Sequence, residues 1–502
     1  MEAVNVLAVI VTFLIGAYSY FKWTFHFWKR FNVPYVEPSI PFGTSENPFG
    51  RSEYIGYRIK KRYDEFKAKG HKHGGLYFFT NPVYLPVHVD YIKNVMAKDF
   101  RYFTDRGVYC NERSDPLTAN LFFLAGERWK VIRNKLAPTF TQSKIKMMFS
   151  SLIKCGDELK AIMDVVCSKQ EEFEVKKISS YYTIDVIGSC AFGLDINSFS
   201  NPQNEFVKHG NSFWSGLTEL RSFSIILSLV NPKLAHFLNV QTMPKDITSF
   251  FMQLVKDTVE YREKKNFSRK DFMQIMIDLK KGKSVENGFT VQEMAAQSFA
   301  FFVAGYDTSS TTISLCLYEM AKHNYIQEKA RHDILNSLEK YHGEMTFESV
   351  TDMTYLDQVI DETLRKYPPV GIMTRVCVED YTIPDDHDVT IKKGTKVAIP
   401  IYAVHHDPEY YPNPDIFDPE RFSEENINSR PLFSYLPFGA GPRICTGLRI
   451  GLLQVKIALI AFIGNFEFSV NPRTREPLDF ENANFALQAK GGIWLNVSEL
   501  AK

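Results

Sequence analysis

The sequence of 502 residues lacks the cysteine pattern of a disulfide-stapled or zinc-binding protein. Its seven cysteines are odd in number and widely spaced, and none forms a Cys-x-x-Cys pair. We therefore expect no disulfide framework, no structural zinc site and a reducing compartment for the folded part. An excess of charge is also missing: 59 basic and 58 acidic residues leave a net charge of +1, which argues against a nucleic-acid partner.

Internal repeats, low-complexity tracts and Gly/Ser-rich linkers are absent as well. The composition, 45% hydrophobic and 14% aromatic, is sufficient to fill a large core. The length would allow one large domain or several smaller ones. Because no linker divides the chain, we predict a single globular body.

Charge is missing altogether from residues 3–21, AVNVLAVIVTFLIGAYSYF. A helix needs about this length to cross a bilayer core of about 30 Å. Basic and aromatic residues follow up to residue 30, as is typical of the cytosolic membrane interface. A cleaved signal peptide is the alternative, but the basic start and the small-residue cleavage site of such a peptide are missing. We predict a membrane anchor with its flank at 1–30, a proline-rich, stiff, extended linker at 31–45 and the globular domain at 46–502.

Apolar residues at helical spacing predict helices at Arg51–Lys69, Lys144–Lys169, Val291–His323 and Thr354–Tyr367. Strand patterns are fewer, and they predict a hairpin of Gly75–Phe79 with Val83–Val87 and short strands at Thr382–Ile383, Val389–Ile391, Val397–Pro400 and Ile493–Val497. The expected fold is mainly α with small β-sheets, an α+β arrangement. The charge-dense segment Arg262–Lys283 is predicted to be a solvated loop with helical ends.

One cysteine lies in a segment of bent backbone, FGAGPRICTG, at residues 438–447. The glycines allow backbone amides to approach a sulfur atom or a flat cofactor. The apolar run Leu448–Gly464 predicts a helix that begins just after Cys445, and a helix N-terminus favours a thiolate. Arg443 is placed to meet a carboxylate. For a lone cysteine, a buried structural role is the alternative.

The segment FGAGPRICTG resembles the haem-binding loop of the cytochrome P450 superfamily, and every fixed position of that pattern is present. The resemblance implies haem b (iron-protoporphyrin IX) with the Cys445 thiolate as its axial ligand. It also implies that Phe438 and Gly439 are cofactor-binding residues and that Arg443 binds a haem propionate. The implied architecture is the cytochrome P450 fold, a single large haem domain behind an N-terminal transmembrane helix.

Two further segments fit the same family. In ETLR, Glu362 and Arg365 share a helix face, which alone indicates an ordinary ion pair. The resemblance implies that both join Arg421, in the segment PERF, in a structural network supporting the cysteine loop. In WKVIR, Trp129 and Arg133 also share a helix face. The resemblance implies that these two residues and Arg375 reach the haem propionates.

The segment AGYDTS, residues 304–309, lies inside the longest predicted helix. Gly305 costs such a helix about 1 kcal/mol relative to alanine, and Asp307 is costly among apolar neighbours unless it is hydrogen-bonded. A helix kink with Thr308 bonded back to an earlier carbonyl is the alternative. The resemblance implies oxygen activation, with a locally opened helix, a Thr308 hydrogen bond to dioxygen and a proton relay through Asp307.

No GxGxxG-type flavin or nicotinamide signature is present, so the electrons must come from another protein. The resemblance implies a monooxygenase of the endoplasmic reticulum membrane, with its catalytic domain on the cytosolic face in contact with membrane lipid. NADPH–cytochrome P450 reductase would be the donor, with NADPH and FAD/FMN acting only through it, and cytochrome b5 is an additional candidate. The second substrate, besides O2, would be a lipophilic small molecule.

The chain looks most like the insect microsomal detoxification clan (family 6), which implies xenobiotic substrates such as insecticides or plant toxins. A dedicated hydroxylase of a steroid hormone or fatty acid is the alternative within the class. A haem sensor or a peroxide isomerase is the alternative outside it.

Overall fold

A computed structural model describes residues 2–45, 53–215, 219–281, 288–384, 386–481 and 486–500. These residues are mainly helical, as predicted. The helices are α1 Glu2–Phe25, α2 Phe27–Arg30, α3 Ile55–Ala68, α4 Val89–Lys93, α5 Gly126–Leu136, α6 Gln142–Ser168, α7 Val175–Ile187, α8 Glu205–Ser215, α9 Glu219–Val230, α10 Pro232–Phe237, α11 Lys245–Lys265, α12 Phe272–Lys281, α13 Val291–Lys322, α14 Asn324–Lys340, α15 Phe347–Thr351, α16 Thr354–Lys366, α17 Ile401–His405, α18 Glu424–Ile427 and α19 Leu448–Ile463.

The strands form small sheets at the edge of the helical body. They are β1 His73–Phe78, β2 Asn81–Pro86, β3 Phe173–Glu174, β4 Met373–Val376, β5 Tyr381–Ile383, β6 Asp386–Ile391, β7 Lys396–Ile399, β8 Phe466–Val470 and β9 Trp494–Glu499. The largest sheet has the order β1-β2-β7-β4, in which β2 and β7 are parallel and the other pairs are antiparallel. The others have the orders β3-β9-β8 and β5-β6.

The long helix α13 is the centre of the helical body. It begins with a capping box in which Thr290 and Glu293 satisfy each other's backbone N–H groups. Much of its length is buried among α7, α11, α16 and α19, which makes it the main contact between these helices. Its buried side chains include a row of serines and threonines, so α13 is not a purely apolar core helix.

The described part of the segment Arg262–Lys283, up to residue 281, has the predicted helical ends, which belong to α11 and α12, and the chain between them is largely exposed. The sequence did not predict that Arg262, in the last turns of α11, and Asp271, just before α12, form a buried pair, with 2.6 Å from Nη2 to Oδ2. The side chains are only 3% and 1% exposed, and Arg262 also donates to the carbonyl oxygen of Phe192. The many charges of this segment gave no sign in the sequence that two of them, on Arg262 and Asp271, compensate each other inside the protein.

Among the described residues, one helix is long and apolar enough to cross a membrane. It is the N-terminal helix α1, over Val4–Phe25. Trp28, within the predicted flank of the anchor, is fully buried. Its indole N–H donates to the carbonyl oxygen of Leu76, and its ring packs on Gly75, where a Cβ atom would come within 2.5 Å. Residues 31–45 follow the edge of β1 through backbone bridges and do not stand off as a free spacer.

Candidate functional site

The segment FGAGPRICTG forms a tight loop that ends where α19 begins. Gly439 and Gly441 have φ angles of +72° and +68°, which favour glycine. At Gly441 the packing adds a second constraint, since a Cβ atom would lie 1.9 Å from the carbonyl oxygen of Met96. The loop is closed by a hydrogen bond from the Cys445 N–H to the carbonyl oxygen of Phe438, 3.0 Å long. The glycines thus fix where the thiol lies.

Cys445 is surrounded by protein atoms, yet it has accessible surface. The two observations agree if the sulfur borders internal space. Burial raises the pKa of the Cys445 thiol, while the N–H groups of Gly447 and Leu448 and the charges of Arg106 and Arg133 oppose this shift. A metal cation at the sulfur would stabilise the thiolate against the cost of burial.

Within the described ranges, no three His, Cys, Asp or Glu residues are grouped so that they could hold a metal ion. A haem would need a single ligand from the protein, and Cys445 would supply it.

Four guanidinium groups converge beside Cys445. They belong to Arg106, Arg133, Arg375 and Arg443. Burial and the nearby charge of Arg375 lower the pKa of both Arg106 and Arg443 to about 9. Burial also lowers the pKa of Arg375, to about 10. Asp105, whose Oδ1 lies 3.8 Å from Arg443 Nη2, compensates part of this like charge, and a bound anion would compensate more of it.

Backbone carbonyls orient these side chains. Arg443 donates to the carbonyl oxygens of Thr104 and Leu124, at 2.6 and 2.9 Å. Its guanidinium lies 4.0 Å from the centre of the Trp129 ring, so Trp129 stacks on it. Arg133 donates to the carbonyl oxygen of Ile444, next to the cysteine, at 3.0 Å.

Several N–H groups of this cluster have no acceptor among the described residues. They are Nε and Nη2 of Arg375, Nη1 of Arg443 and Nε of Arg106. Buried guanidinium donors of this kind fit carboxylates, and a haem carries two propionates. The residues present therefore fit the haem that the sequence predicted. Arg106 was missed by the sequence analysis, because it belongs to no motif and meets Arg443 across 337 positions of chain.

The structure also brings Glu362, Arg365 and Arg421 together. Glu362 and Arg365 form a bidentate pair, with 2.7 and 2.9 Å between their atoms, and both side chains are fully buried. Burial raises the pKa of the Glu362 carboxyl, although Arg365 opposes the shift. Arg421 is a weaker member: its Nε lies 3.5 Å from Glu362 Oε1, and its firm hydrogen bonds go to the carbonyl oxygens of Pro412 and Asn413.

His405 links this network to the cysteine loop, and the sequence analysis missed it. Arg365 donates to its carbonyl oxygen at 3.2 Å, and its ring Nε2 accepts the N–H of Leu436 at 2.8 Å. Burial lowers the pKa of the His405 ring to about 3, so the ring is neutral and can act as an acceptor. The carbonyl oxygen of Leu436 in turn accepts the N–H of Gly439 at 3.0 Å, so the network extends into the loop.

The helix α13 differs from the expectation at residues 304–309. It is continuous through Gly305, and no opened stretch is present there. The Thr308 hydroxyl donates to the carbonyl oxygen of Ala304 at 2.6 Å, the local alternative raised by the sequence. Ala304 is exposed although it lies in the middle of a buried helix, so this face of α13 borders internal space. Gln454 of α19 donates to the carbonyl oxygen of Gly305 at 3.1 Å, which ties α13 to the helix that follows Cys445.

Asp307 does not share the direction of Thr308. Its carboxylate lies 2.8 Å from the ammonium of Lys176, on the side of α13 that faces α7. The structure therefore separates the two groups that the sequence placed in one relay: Thr308 lies beside Ala304, while Asp307 is paired with a neighbouring helix.

Comparison with known proteins gives a consistent result over nearly the whole chain. The family model described as Cytochrome P450 matches residues 50–496. The relatives include the probable cytochrome P450 6a14 of Drosophila melanogaster, 42% identical over 98% of this chain and 99% of the relative. Probable cytochrome P450 6a20 of the same organism is 39% identical (98% and 100% covered), and cytochrome P450 6A1 of Musca domestica is 36% identical (100% and 98% covered).

We predict that Gly441→Ala destabilises the protein by about 2 kcal/mol or more, because the new Cβ would overlap the Met96 carbonyl and strain a positive φ angle. Gly451→Ala is the matched control, since it lies in α19 with nothing within 4 Å of the new Cβ. Thermal unfolding of both variants measures the difference. Equal midpoints for the two variants would contradict the tight fit of the loop.

Proposed function

The chain belongs to the cytochrome P450 family, and on this basis we propose that it is a membrane-bound monooxygenase that oxidises lipophilic foreign compounds. As a family member it is an oxidoreductase with the P450 fold, and its haem is held by a cysteine thiolate. The haem, when bound, supplies the chemistry that activates dioxygen and transfers one oxygen atom to the substrate. The protein's own residues bind, orient and deliver protons.

The observation that carries this proposal is a cluster of guanidinium groups near Cys445 that leaves several buried N–H donors without an acceptor among the described residues. We assign Cys445 as the axial ligand. Arg133, Arg375 and Arg443, together with Arg106, would hold the propionates, and their orphaned N–H groups support this assignment. Their positive charges also favour the thiolate form of the cysteine.

We also assign proton delivery to Thr308 and Asp307 of α13. Thr308 lies on the face of α13 where Ala304 borders internal space, which supports a role next to the reacting atoms. Asp307 directly precedes Thr308 in the chain, and its carboxyl is the nearest one in sequence. Its carboxylate is paired with Lys176 of α7.

We assign α1 as the membrane anchor, which would place the protein in the endoplasmic reticulum membrane with its body on the cytosolic face. The length and apolar composition of Val4–Phe25 support this placement. The electron donor would be NADPH–cytochrome P450 reductase, with cytochrome b5 as an additional candidate. The domain boundaries at 30 and 45 remain the proposed limits of anchor and linker, although Trp28 packs on the body.

A reconstituted system with reductase, NADPH and lipid tests the function. We predict NADPH- and O2-dependent oxidation of several unrelated lipophilic compounds, which would support a xenobiotic role. Oxidation of one steroid or fatty acid alone would support the endogenous alternative. Haem binding without NADPH consumption in the presence of substrate and reductase would contradict the monooxygenase proposal and favour a sensor or a peroxide isomerase.

We predict that Cys445→Ala abolishes the haem-thiolate spectrum of the reduced carbon-monoxide complex, because no other thiolate would replace the ligand. Cys167→Ala is the control, since this buried cysteine lies at the end of α6. We expect the control variant to keep the spectrum. A normal spectrum in Cys445→Ala would refute the ligand assignment.

We predict that Thr308→Ala still binds haem but releases a larger share of its consumed NADPH as hydrogen peroxide, because protons reach the cavity less effectively. Thr312→Ala is the matched control, because its hydroxyl also bonds back to a carbonyl of α13, that of Thr308, at 2.9 Å. The ratio of peroxide to product measures the effect. Unchanged coupling in Thr308→Ala would remove its assigned role.

A further inference from the structure

A fully buried glutamine of α13, Gln297, binds one segment of backbone through its side-chain amide. Its Oε1 accepts the N–H of Leu121 at 2.9 Å, and its Nε2 donates to the carbonyl oxygen of Ala119 at 3.1 Å. These two peptide groups flank Asn120, so the amide holds the chain at two points. Because a buried amide is costly to leave unpaired, movement of the segment away from α13 is unfavourable.

The segment held in this way, residues 117–124, has two further attachments. Within it, the buried side chain of Asn120 accepts the N–H of Phe122 through Oδ1 at 2.9 Å, which fixes a turn of the backbone. At its end, the carbonyl oxygen of Leu124 accepts a hydrogen bond from Arg443 at 2.9 Å. The segment therefore runs from α13 to the cysteine loop and is attached to both.

The middle of the segment, residues 121–123, consists of half-buried apolar side chains next to the proposed cofactor site. The ring centre of Phe122 lies 4.0 Å from the guanidinium of Arg106. Arg106 is surrounded by protein atoms and yet has accessible surface, which indicates that it borders internal space. Gln297 lies about two turns before Ala304 and on the same face of α13, the face that borders internal space. Both attachments thus hold residues 121–123 beside this space.

We propose that Gln297 is a positioning residue for substrate selection, because it fixes from α13 the segment that carries Phe122 and Phe123. This inference deepens the proposed function and rests on it, since the internal space is taken as the place where the lipophilic substrate binds. Gln297 acts through the backbone of residues 119–121. The compounds that it selects are bulky and aromatic, because such compounds extend to the two phenylalanine rings and gain apolar burial and ring contacts there. A small ligand that does not extend to these rings is unaffected.

The test compares two probes that share an imidazole group able to coordinate iron: imidazole itself and clotrimazole, which adds three aromatic rings. Each probe is titrated into the full-length, haem-loaded protein, and the change in haem absorbance gives its dissociation constant. We expect Gln297→Met, which removes both hydrogen bonds, to weaken clotrimazole binding roughly fivefold, which corresponds to about 1 kcal/mol, and to leave imidazole binding unchanged. Gln297→Glu should recover part of the loss, because a carboxyl kept neutral by burial has a donor and an acceptor.

Gln327→Met is the matched control, because Gln327 is equally buried and its amide also binds a backbone segment at two points. It accepts the N–H of Phe468 at 2.9 Å and donates to the carbonyl oxygen of the same residue at 3.0 Å. These residues belong to α14 and β8, which carry none of the proposed site residues. We expect both Met variants to lower the thermal unfolding midpoint and only Gln297→Met to change the ratio of the two dissociation constants. No change of this ratio in Gln297→Met, or an equal change in both variants, overturns the positioning role.

A second measurement needs no variant. Hydrogen exchange of the resting, haem-loaded protein, read by mass spectrometry, reports the protection of peptides that cover residues 117–124. We expect exchange in these peptides to be severalfold slower with clotrimazole than with imidazole, while peptides of α14 show no such difference. Equal exchange with the two probes overturns the proposal, whether or not Gln297→Met folds and binds haem.

The outcomes separate this inference from the proposed function, because neither measurement depends on reductase or turnover. If the unmodified protein consumes no NADPH with substrate and reductase while both probes behave as expected, the monooxygenase proposal fails and the role of Gln297 in ligand selection stands. If turnover is normal and the ratio of dissociation constants is unchanged in Gln297→Met, the role of Gln297 fails and the monooxygenase proposal stands.

Discussion

The bidentate pair of Glu362 and Arg365 is the interaction on which the site depends. Both charges lie fully out of solvent, so each must find its partners inside the protein, and the cost of leaving one alone is high. Arg365 uses its remaining donors on carbonyl oxygens, including that of His405, whose ring receives the N–H of Leu436. The Glu362–Arg365 pair is thereby linked, through His405, to the segment that leads into the cysteine loop.

A second set of buried charges is arranged in the opposite way. The Glu362–Arg365 pair is complete within the chain, whereas the guanidinium of Arg375 has two N–H groups without an acceptor among the described residues. The first set is compensated inside the protein, and the second is the one that we propose binds the anionic groups of the cofactor.

The sequence predicted the parts of this arrangement that are contiguous in the chain. Cys445 and the Glu362–Arg365 pair lie within short motifs, and long apolar helices such as α13 are evident from their spacing. The contacts of Arg106, His405 and Lys176 were not predicted, because they join residues 337, 31 and 131 positions apart. The direction of Asp307 was not predictable either, since α7 and not its own helix determines it. The buried pair of Arg262 and Asp271 shows the same limit, because charge density alone does not reveal compensation.

The burial of Trp28 has a mechanical consequence for the whole molecule. Trp28 lies three residues after the end of α1. Its indole N–H donates to the carbonyl oxygen of Leu76, and its ring packs against Gly75. Because only two residues separate the end of α1 from Trp28, the globular body has little freedom to rotate relative to α1. Its height and tilt above a lipid surface would be limited by the direction in which α1 leaves the body. A shortened form that begins after residue 30 would lose the contact between Trp28 and the body, and it would expose the surface around Gly75 and Leu76 that Trp28 covers.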